Sequence, residues 1–77
     1  MSYVIYGKPS CVFCTRSIIL LEKHKQEYEY KSLDKDFTKE ELLEKFPEAK
    51  TFPQIETTDG KYIGGFNELR DKLNNVV

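Results

Sequence analysis

The hydrophobic residues in the first third of the chain follow two different spacings. Residues 3–6, Tyr-Val-Ile-Tyr, are apolar, aromatic or β-branched throughout, which predicts a strand buried on both faces. Residues 15–25 have helical spacing instead, so we expect a helix that covers a sheet with one apolar side. That side consists of Cys14, Ile18 and Leu21, widened by Ile19 and Leu20.

A second strand is predicted where tyrosines alternate with charged residues. Within residues 27–31, Tyr28 and Tyr30 alternate with charged side chains, and the pattern ends near Leu33. A strand, a helix and a strand in this order form a βαβ unit. We therefore expect two parallel strands joined by a right-handed crossover.

The next segment has the signals of a capped helix. Thr38 is a candidate N-cap, and Glu41 follows at the spacing of a capping box. Phe37 and Leu42 are spaced as a hydrophobic staple around this cap. Pro47 ends the helix, because the residue before a proline avoids helical geometry. The inward side of this second helix is predicted to be Leu42, Leu43 and Phe46.

The last third of the chain reads as a hairpin followed by a helix. Residues 54–57 form a third strand, and Asp59-Gly60 is a strong signal for a two-residue hairpin turn. Residues 61–63 make the returning strand, which Gly64-Gly65 ends. A final helix follows, with its inward side at Leu69 and Leu73. The predicted order is β-α-β-α-β-β-α, a sheet with helices on its faces.

Both cysteines of the chain lie between the first strand and the first helix. Gly7 and Pro9 break the strand, so Cys11 should lie at the helix N-terminus, with Cys14 one turn inside the helix. Unpaired backbone N–H groups and the helix dipole favour a thiolate at Cys11, and Lys8 adds a positive charge. Cys14 should be the less exposed partner, able to attack a mixed disulfide at Cys11. The pattern therefore predicts a dithiol redox site.

Two other interpretations of the cysteine pair are weaker. A structural disulfide across two intervening residues would close a tiny loop, so it would remove little entropy from the unfolded chain. A closed zinc site needs four ligands, and the chain offers two cysteines and the distant His24. We therefore expect a working thiol pair and no metal site.

Composition and charge exclude several classes of protein. Seventy-seven residues allow one small domain, so we assign residues 1–77 to a single domain. The formal net charge of −1, without a basic tract, gives no argument for a nucleic-acid or membrane surface. No signal peptide or membrane-spanning run is visible in the sequence. Two cysteines in such a chain indicate a reducing compartment, and we expect a cytoplasmic protein.

Three segments at consistent spacing resemble the motifs of glutaredoxins. They are residues 4–14 (VIYGKPSCVFC), 51–55 (TFPQI) and 63–69 (IGGFNEL). The resemblance covers nearly the whole chain and is that of a small dithiol member. It implies an α/β protein with the thioredoxin fold, in which helices flank a four-stranded mixed sheet.

The resemblance also implies roles for individual residues. Cys11 would be the nucleophile and Cys14 the resolving thiol, and the bond before Pro53 would be cis. Glutathione would be a co-substrate, with no tightly bound cofactor. Its cysteinyl part would pair with the Phe52 backbone, and its two carboxylates would meet Lys8 and the start of the last helix. The implied glutathione-binding residues are Lys8, Phe13, Thr51, Phe52, Pro53, Gly64, Gly65, Asn67 and Glu68.

Two further basic residues near this region receive no binding role. Lys39 is the nearest candidate on the second helix for a family contact to the glycyl carboxylate, but its register does not settle it. Arg16 is interpreted as a solvated helix charge.

The function implied is a glutathione-dependent thiol–disulfide oxidoreductase acting on protein disulfides and glutathione mixed disulfides. Its partners would be glutathione and disulfide-containing proteins such as a ribonucleotide reductase, and it would act as a monomer. Two alternatives stay open. One is a glutaredoxin-like redoxin reduced by thioredoxin reductase. The other is a protein that binds an iron–sulfur cluster between two chains through Cys11 and glutathione, which Val12 in place of the family's frequent proline permits.

Overall fold

The computed structural model of the chain describes residues 2–74. Within that part of the chain the elements follow the order β1 (Ser2–Gly7), α1 (Val12–Lys23), β2 (Glu27–Ser32), α2 (Lys39–Lys45), β3 (Gln54–Thr57), β4 (Tyr62–Gly64) and α3 (Phe66–Asn74). The strands form one sheet in the order β2-β1-β3-β4. β1 is parallel to β2, whereas β3 is antiparallel to both β1 and β4. The predicted mixed sheet and element order are therefore confirmed.

The sheet has an apolar cluster on each face, because successive side chains of β1 point to opposite sides. Tyr3 and Ile5 belong to the cluster formed with α1 and α3, together with Leu21, Ile55, Leu69 and Leu73. Val4 and Tyr6 belong to the cluster formed with α2, together with Phe37, Leu42 and Phe46. The prediction that residues 3–6 are buried on both faces is confirmed.

The first helix begins earlier than its pattern suggested, and the side that it buries differs from the predicted one. It starts at Val12, directly after Cys11, and ends at Lys23. The assignment of Ile19 to its apolar side was wrong, because that side chain is 57% exposed. Ser17 is buried instead, and its hydroxyl donates to the Phe13 carbonyl oxygen at 2.8 Å. This bond lets a polar residue occupy a core position without an unsatisfied donor.

The second helix has the predicted capping box. The Thr38 N–H donates to Glu41 Oε1 at 2.8 Å, and the Glu41 N–H donates to Thr38 Oγ1 at 3.2 Å. Phe37 and Leu42 are both buried in the α2-side cluster, as the staple requires. The helix ends at Lys45, and its C-cap is the residue before Pro47. In the range 2–74, no helix is long and apolar enough to cross a membrane.

The hairpin between β3 and β4 is present, but its connection is longer than a two-residue turn. Four residues, 58–61, separate the two strands, so Lys61 is outside the returning strand that we predicted for it. The Thr57 hydroxyl explains the difference, because its Oγ1 accepts the Lys61 N–H at 3.1 Å and thereby closes a wider loop. Gly60 has a φ of +92°, which suits a glycine in this loop.

One carboxylate is buried on the α2 side of the sheet. Glu56 of β3 lies 2.6 Å from the Lys45 ammonium and accepts the Tyr6 hydroxyl at 2.8 Å. The hydrogen bond to Glu56 raises the Lys45 pKa, while burial raises the Tyr6 pKa. These partners compensate the cost of desolvating a charged group.

Candidate active site

The two cysteines are placed by the junction of β1 and α1. Cys11 is the N-cap of α1 in extended geometry, and its Sγ accepts the Cys14 N–H at 3.2 Å. Both are free thiols, with Cys11 partly exposed and Cys14 buried. The expected arrangement, with one sulfur at the helix N-terminus and the other one turn inside, is the one observed.

Burial makes the Cys14 thiol less acidic than an ordinary cysteine thiol. It raises the Cys14 pKa from 9.0 to about 12, and the neighbouring Cys11 sulfur adds to the effect. Hydrogen bonding with the Lys8 backbone and the Tyr30 hydroxyl acts in the opposite direction, toward a lower pKa. Cys14 is therefore a neutral thiol at physiological pH, next to a more accessible sulfur.

Tyr30 of β2 lies close to the thiol pair, and sequence reasoning gave it only a place in a strand. Its hydroxyl donates to the Lys8 carbonyl oxygen at 3.4 Å, and burial raises its pKa to about 12, with Cys14 contributing. The ring reaches this position over Gly7, where an added Cβ would lie 2.8 Å from two of its carbon atoms. The register pairs Gly7 with Ser32 and Tyr30 with Ile5, so Tyr30 reaches Gly7 diagonally and the sequence pattern gave no direct signal for this contact.

A cleft beside the cysteines has a volume of about 420 Å³. It is lined by Phe13, Thr51, Phe52, Pro53, Gly65, Phe66, Asn67 and Glu68. The peptide bond between Phe52 and Pro53 is cis, as the resemblance implied. Phe66 is the one lining residue of this cleft that the sequence reasoning did not select for binding.

A second cleft of about 860 Å³ continues the first on the side of α2. It shares Phe13, Thr51 and Phe52 with the first cleft, and Cys11 lies in its wall. Its other lining residues are Lys8, Leu33, Lys39, Leu42, Leu43, Ala49 and Lys50. We call the two clefts together the groove. Each of the two clefts by itself is in the size range of small-molecule sites, which is roughly 300–1,000 Å³.

The groove brings together most of the residues that the sequence selected. Eight of the nine predicted binding residues line it, as does Cys11. Lys8 lies with its ammonium 5.6 Å from the centre of the Phe52 ring. Lys39 and Lys50 also line it, although Lys39 had no assigned role and Lys50 was overlooked. No local pattern marks Lys50, because only the fold brings the segment before Phe52 next to Lys8.

Gly64 is the predicted residue that does not line the groove. It is buried at the end of β4 with a φ of +124°, and an added Cβ would lie 2.8 Å from Glu68 Cγ. Glu68 Oε1 in turn accepts the Gly65 N–H at 2.7 Å. Gly64 is therefore needed for its positive φ and for the lack of a side chain. Glu68 caps the start of α3.

Comparison with known proteins agrees with this geometry. The Glutaredoxin family model matches residues 3–63. Glutaredoxin 1 of Escherichia coli (strain K12) is 33% identical over 76 residues, covering 90% of this chain and 88% of that protein. This coverage extends beyond the motif segments to nearly the whole fold.

Solved structures show the same likeness. Reduced Escherichia coli glutaredoxin has a TM-score of 0.81 at 30% identity, covering 99% of this chain and 96% of that chain. The oxidised form of the same protein has a TM-score of 0.79 at 30% identity, covering 100% of this chain and 98% of that chain. A buckwheat glutaredoxin–glutathione complex has a TM-score of 0.80 at 25% identity, covering 95% of this chain and 68% of that chain. The thioredoxin-type fold is confirmed, and the chain belongs to the glutaredoxin family.

Proposed function

We propose that this chain is a glutathione-dependent thiol–disulfide oxidoreductase that reduces protein disulfides and glutathione mixed disulfides. The observation that carries the proposal is the contrast between its two thiols within one helical turn. Cys11 is accessible and accepts a backbone N–H, whereas Cys14 is 1% exposed and has a pKa raised to about 12 by burial. Such a pair supports an ordered reaction in which Cys11 acts first.

The reaction begins when the Cys11 thiolate attacks a substrate disulfide. A Cys11–substrate disulfide forms, the substrate S–S bond breaks, and the released sulfur leaves as a thiolate that takes a proton from solvent. Cys14 then attacks the Cys11 sulfur. Its thiol proton passes to the second departing substrate sulfur, so a Cys11–Cys14 disulfide and a reduced substrate result. Two molecules of glutathione restore the two thiols and become glutathione disulfide.

The groove provides a site for the tripeptide. Lys8, Lys39 and Lys50 place positive charge in one cleft, which suits the glycyl carboxylate. The start of α3 suits the γ-glutamyl carboxylate. The Leu69 N–H donates to the Gly65 carbonyl oxygen, so the N–H groups before Leu69 have no carbonyl partner within the helix and can bind an anion. Between them, the backbone beside Pro53 can pair with the cysteinyl residue as an added strand. The buckwheat relative was solved as a glutathione complex, which supports glutathione as the ligand of this chain.

The first test separates the two thiols. Cys11→Ser should abolish all activity, since it removes the nucleophile. Cys14→Ser should retain reduction of a glutathione mixed disulfide, which needs one thiol, and lose reduction of a protein disulfide. The assigned roles would be reversed if Cys14→Ser lost both reactions while Cys11→Ser kept one.

The second test identifies the reductant. Turnover is measured with glutathione plus glutathione reductase and, separately, with thioredoxin reductase. We expect turnover with glutathione, and a rise in its KM of up to about fivefold in Lys8→Ala, since an exposed charge pair contributes roughly 0–1 kcal/mol. Lys23→Ala, at the far end of α1, is the control and should leave the KM unchanged. Turnover with thioredoxin reductase alone would refute glutathione dependence.

The same thiol chemistry suggests a compartment and a class of protein substrates. We propose that the chain acts as a monomer in the cytoplasm, where thiols are kept reduced, on disulfide-containing proteins of which a ribonucleotide reductase is one candidate. Size-exclusion chromatography at several concentrations tests the monomer, and trapping with Cys14→Ser, which cannot resolve a mixed disulfide, tests the substrates.

A further inference from the structure

Four side chains from α1 and α3 stack in a row beside the cysteines. The Arg16 guanidinium carbon lies 5.4 Å from the centre of the Phe13 ring, and the Arg70 carbon lies 5.9 Å from the centre of the Phe66 ring. The two rings are themselves neighbours, with their centres 5.7 Å apart. We call Arg16, Phe13, Phe66 and Arg70 the Arg–Phe row. Each of its two arginines lies over a different ring of one aromatic pair.

The Arg–Phe row is open to solvent and positively charged. Phe13 is 49% exposed and the adjacent Val12 is 62% exposed, which is unusual for apolar side chains of this size. Residues 1–21 include no aspartate or glutamate, although the whole chain has a net charge of −1. Among residues 2–74, no carboxylate lies within ion-pair distance of Arg16, and Arg70 has only a 3.9 Å contact to the exposed Asp71.

Glutathione alone does not account for this surface. Phe13 and Phe66 line the groove, but neither Arg16 nor Arg70 does. A tripeptide held in the groove would cover the phenylalanines from one side and leave both guanidinium groups in water. A partner that contacts the whole row must extend beyond the groove, over the exposed surface of α1 and α3.

We infer that the Arg–Phe row is a docking strip for protein substrates in which acidic residues flank the reactive disulfide. The cation–π contact with a ring restrains each guanidinium group, and its planar fork suits a carboxylate better than a mobile ammonium would. Val12 and Phe13 provide an apolar contact next to the sulfur of Cys11. This inference rests on the proposed function, because it selects among the disulfides that the thiol pair reduces.

The test compares two disulfide peptides that differ only in charge. One has glutamate on both sides of its cysteines and the other has glutamine at the same positions. The variant is Arg16→Gln/Arg70→Gln. The control, Lys23→Gln/Lys61→Gln, removes the same charge from the end of α1 and from the β3–β4 loop, outside the groove and the row. Rates are measured in single turnovers with pre-reduced protein, so no glutathione is needed.

We expect the arginine variant to lose about three- to twentyfold in the second-order rate with the glutamate peptide at low salt, as two exposed ion pairs would give. The rate with the glutamine peptide should stay within about twofold, and 0.5 M salt should remove the difference between the two peptides because it screens the charges. The control variant should reduce each peptide at the same second-order rate as the unmodified protein.

Two results would overturn the docking strip. One is an equal loss with both peptides, since the row would then support the fold or the thiols rather than select charge. The other is an equal loss of discrimination in the lysine control, since net charge alone would then explain it. Failure of the proposed function looks different, because the unmodified protein would then reduce neither peptide or would take no electrons from glutathione.

Discussion

Two adjacent glycines offer a direct test of which residues support the fold and which line the groove. Gly64 and Gly65 were both selected as binding residues from the sequence, but the structure gives them different surroundings. Gly64 has a φ of +124° and is buried, whereas Gly65 lines the groove. We predict that Gly64→Ala lowers stability and that Gly65→Ala acts on glutathione binding.

The size of each effect follows from the positions of the added methyl groups. A positive φ costs a residue with a Cβ about 1–3 kcal/mol, and the Gly64 methyl would also lie 2.8 Å from Glu68 Cγ. We expect a loss of about 2 kcal/mol, which lowers the melting temperature of a domain of this size by about 8–16 °C. At Gly65 the added Cβ would lie 3.3 Å from Glu68 Oε1 and 3.5 Å from the Pro53 carbonyl oxygen. These contacts need only a small shift, so we expect less than about 1 kcal/mol there.

Urea and thermal unfolding of both variants measure the stability, and steady-state kinetics measure the KM for glutathione. Gly65→Ala should raise the KM, because its methyl group enters the groove beside Pro53. Gly64→Ala, assayed well below its melting temperature, should keep a KM close to that of the unmodified protein. A Gly64→Ala protein that melts within about 3 °C of the original would show that the backbone argument is wrong. So would an equal destabilisation by Gly65→Ala.

Three further predictions concern single groups. Folding raises the Cys14 pKa from 9.0 to about 12, so the folded state keeps a proton that the unfolded chain releases, and stability should fall as the pH rises from 9 toward 12. Unfolding of the reduced protein across this range should show the fall, and Cys14→Ala should reduce it. Lys45→Met leaves the buried Glu56 carboxylate without its cation and should cost about 1–2 kcal/mol in urea unfolding. Thr38→Ala removes the helix cap and should cost about 1 kcal/mol in the same measurement.

Features set by neighbouring residues were predictable from the sequence. The capping box of α2 needs only Thr38 and Glu41 at the right spacing, and both hydrogen bonds are present. The alternation of residues 3–6 between the two clusters follows from strand geometry alone. The hairpin turn was less predictable, because a side-chain hydrogen bond from the loop to Thr57 overrides the preference of Asp59-Gly60 for a two-residue turn.

The residues of the site also fall into two groups, those that local spacing predicts and those that only the folded chain brings together. Cys11 and Cys14 lie three positions apart in a single turn, so their relation could be inferred from spacing and helix geometry. Lys50 could not be found like this, since it approaches Lys8 only after β3 has paired with β1. The resemblance selected Gly64 from its motif, but a motif does not distinguish a glycine needed for its φ from one needed for contact with a ligand.

The difference between the two thiols comes from the strands beneath them. Gly7 has no side chain, so the Tyr30 ring can cross from β2 and bring its hydroxyl to the Lys8 carbonyl and the buried Cys14. Cys14 is thereby kept from solvent but not from hydrogen-bonding groups, which is what a resolving thiol needs under the proposed function. It stays protonated while Cys11 meets the substrate. Once the mixed disulfide has formed, those groups can stabilise the charge that develops on Cys14 as it attacks.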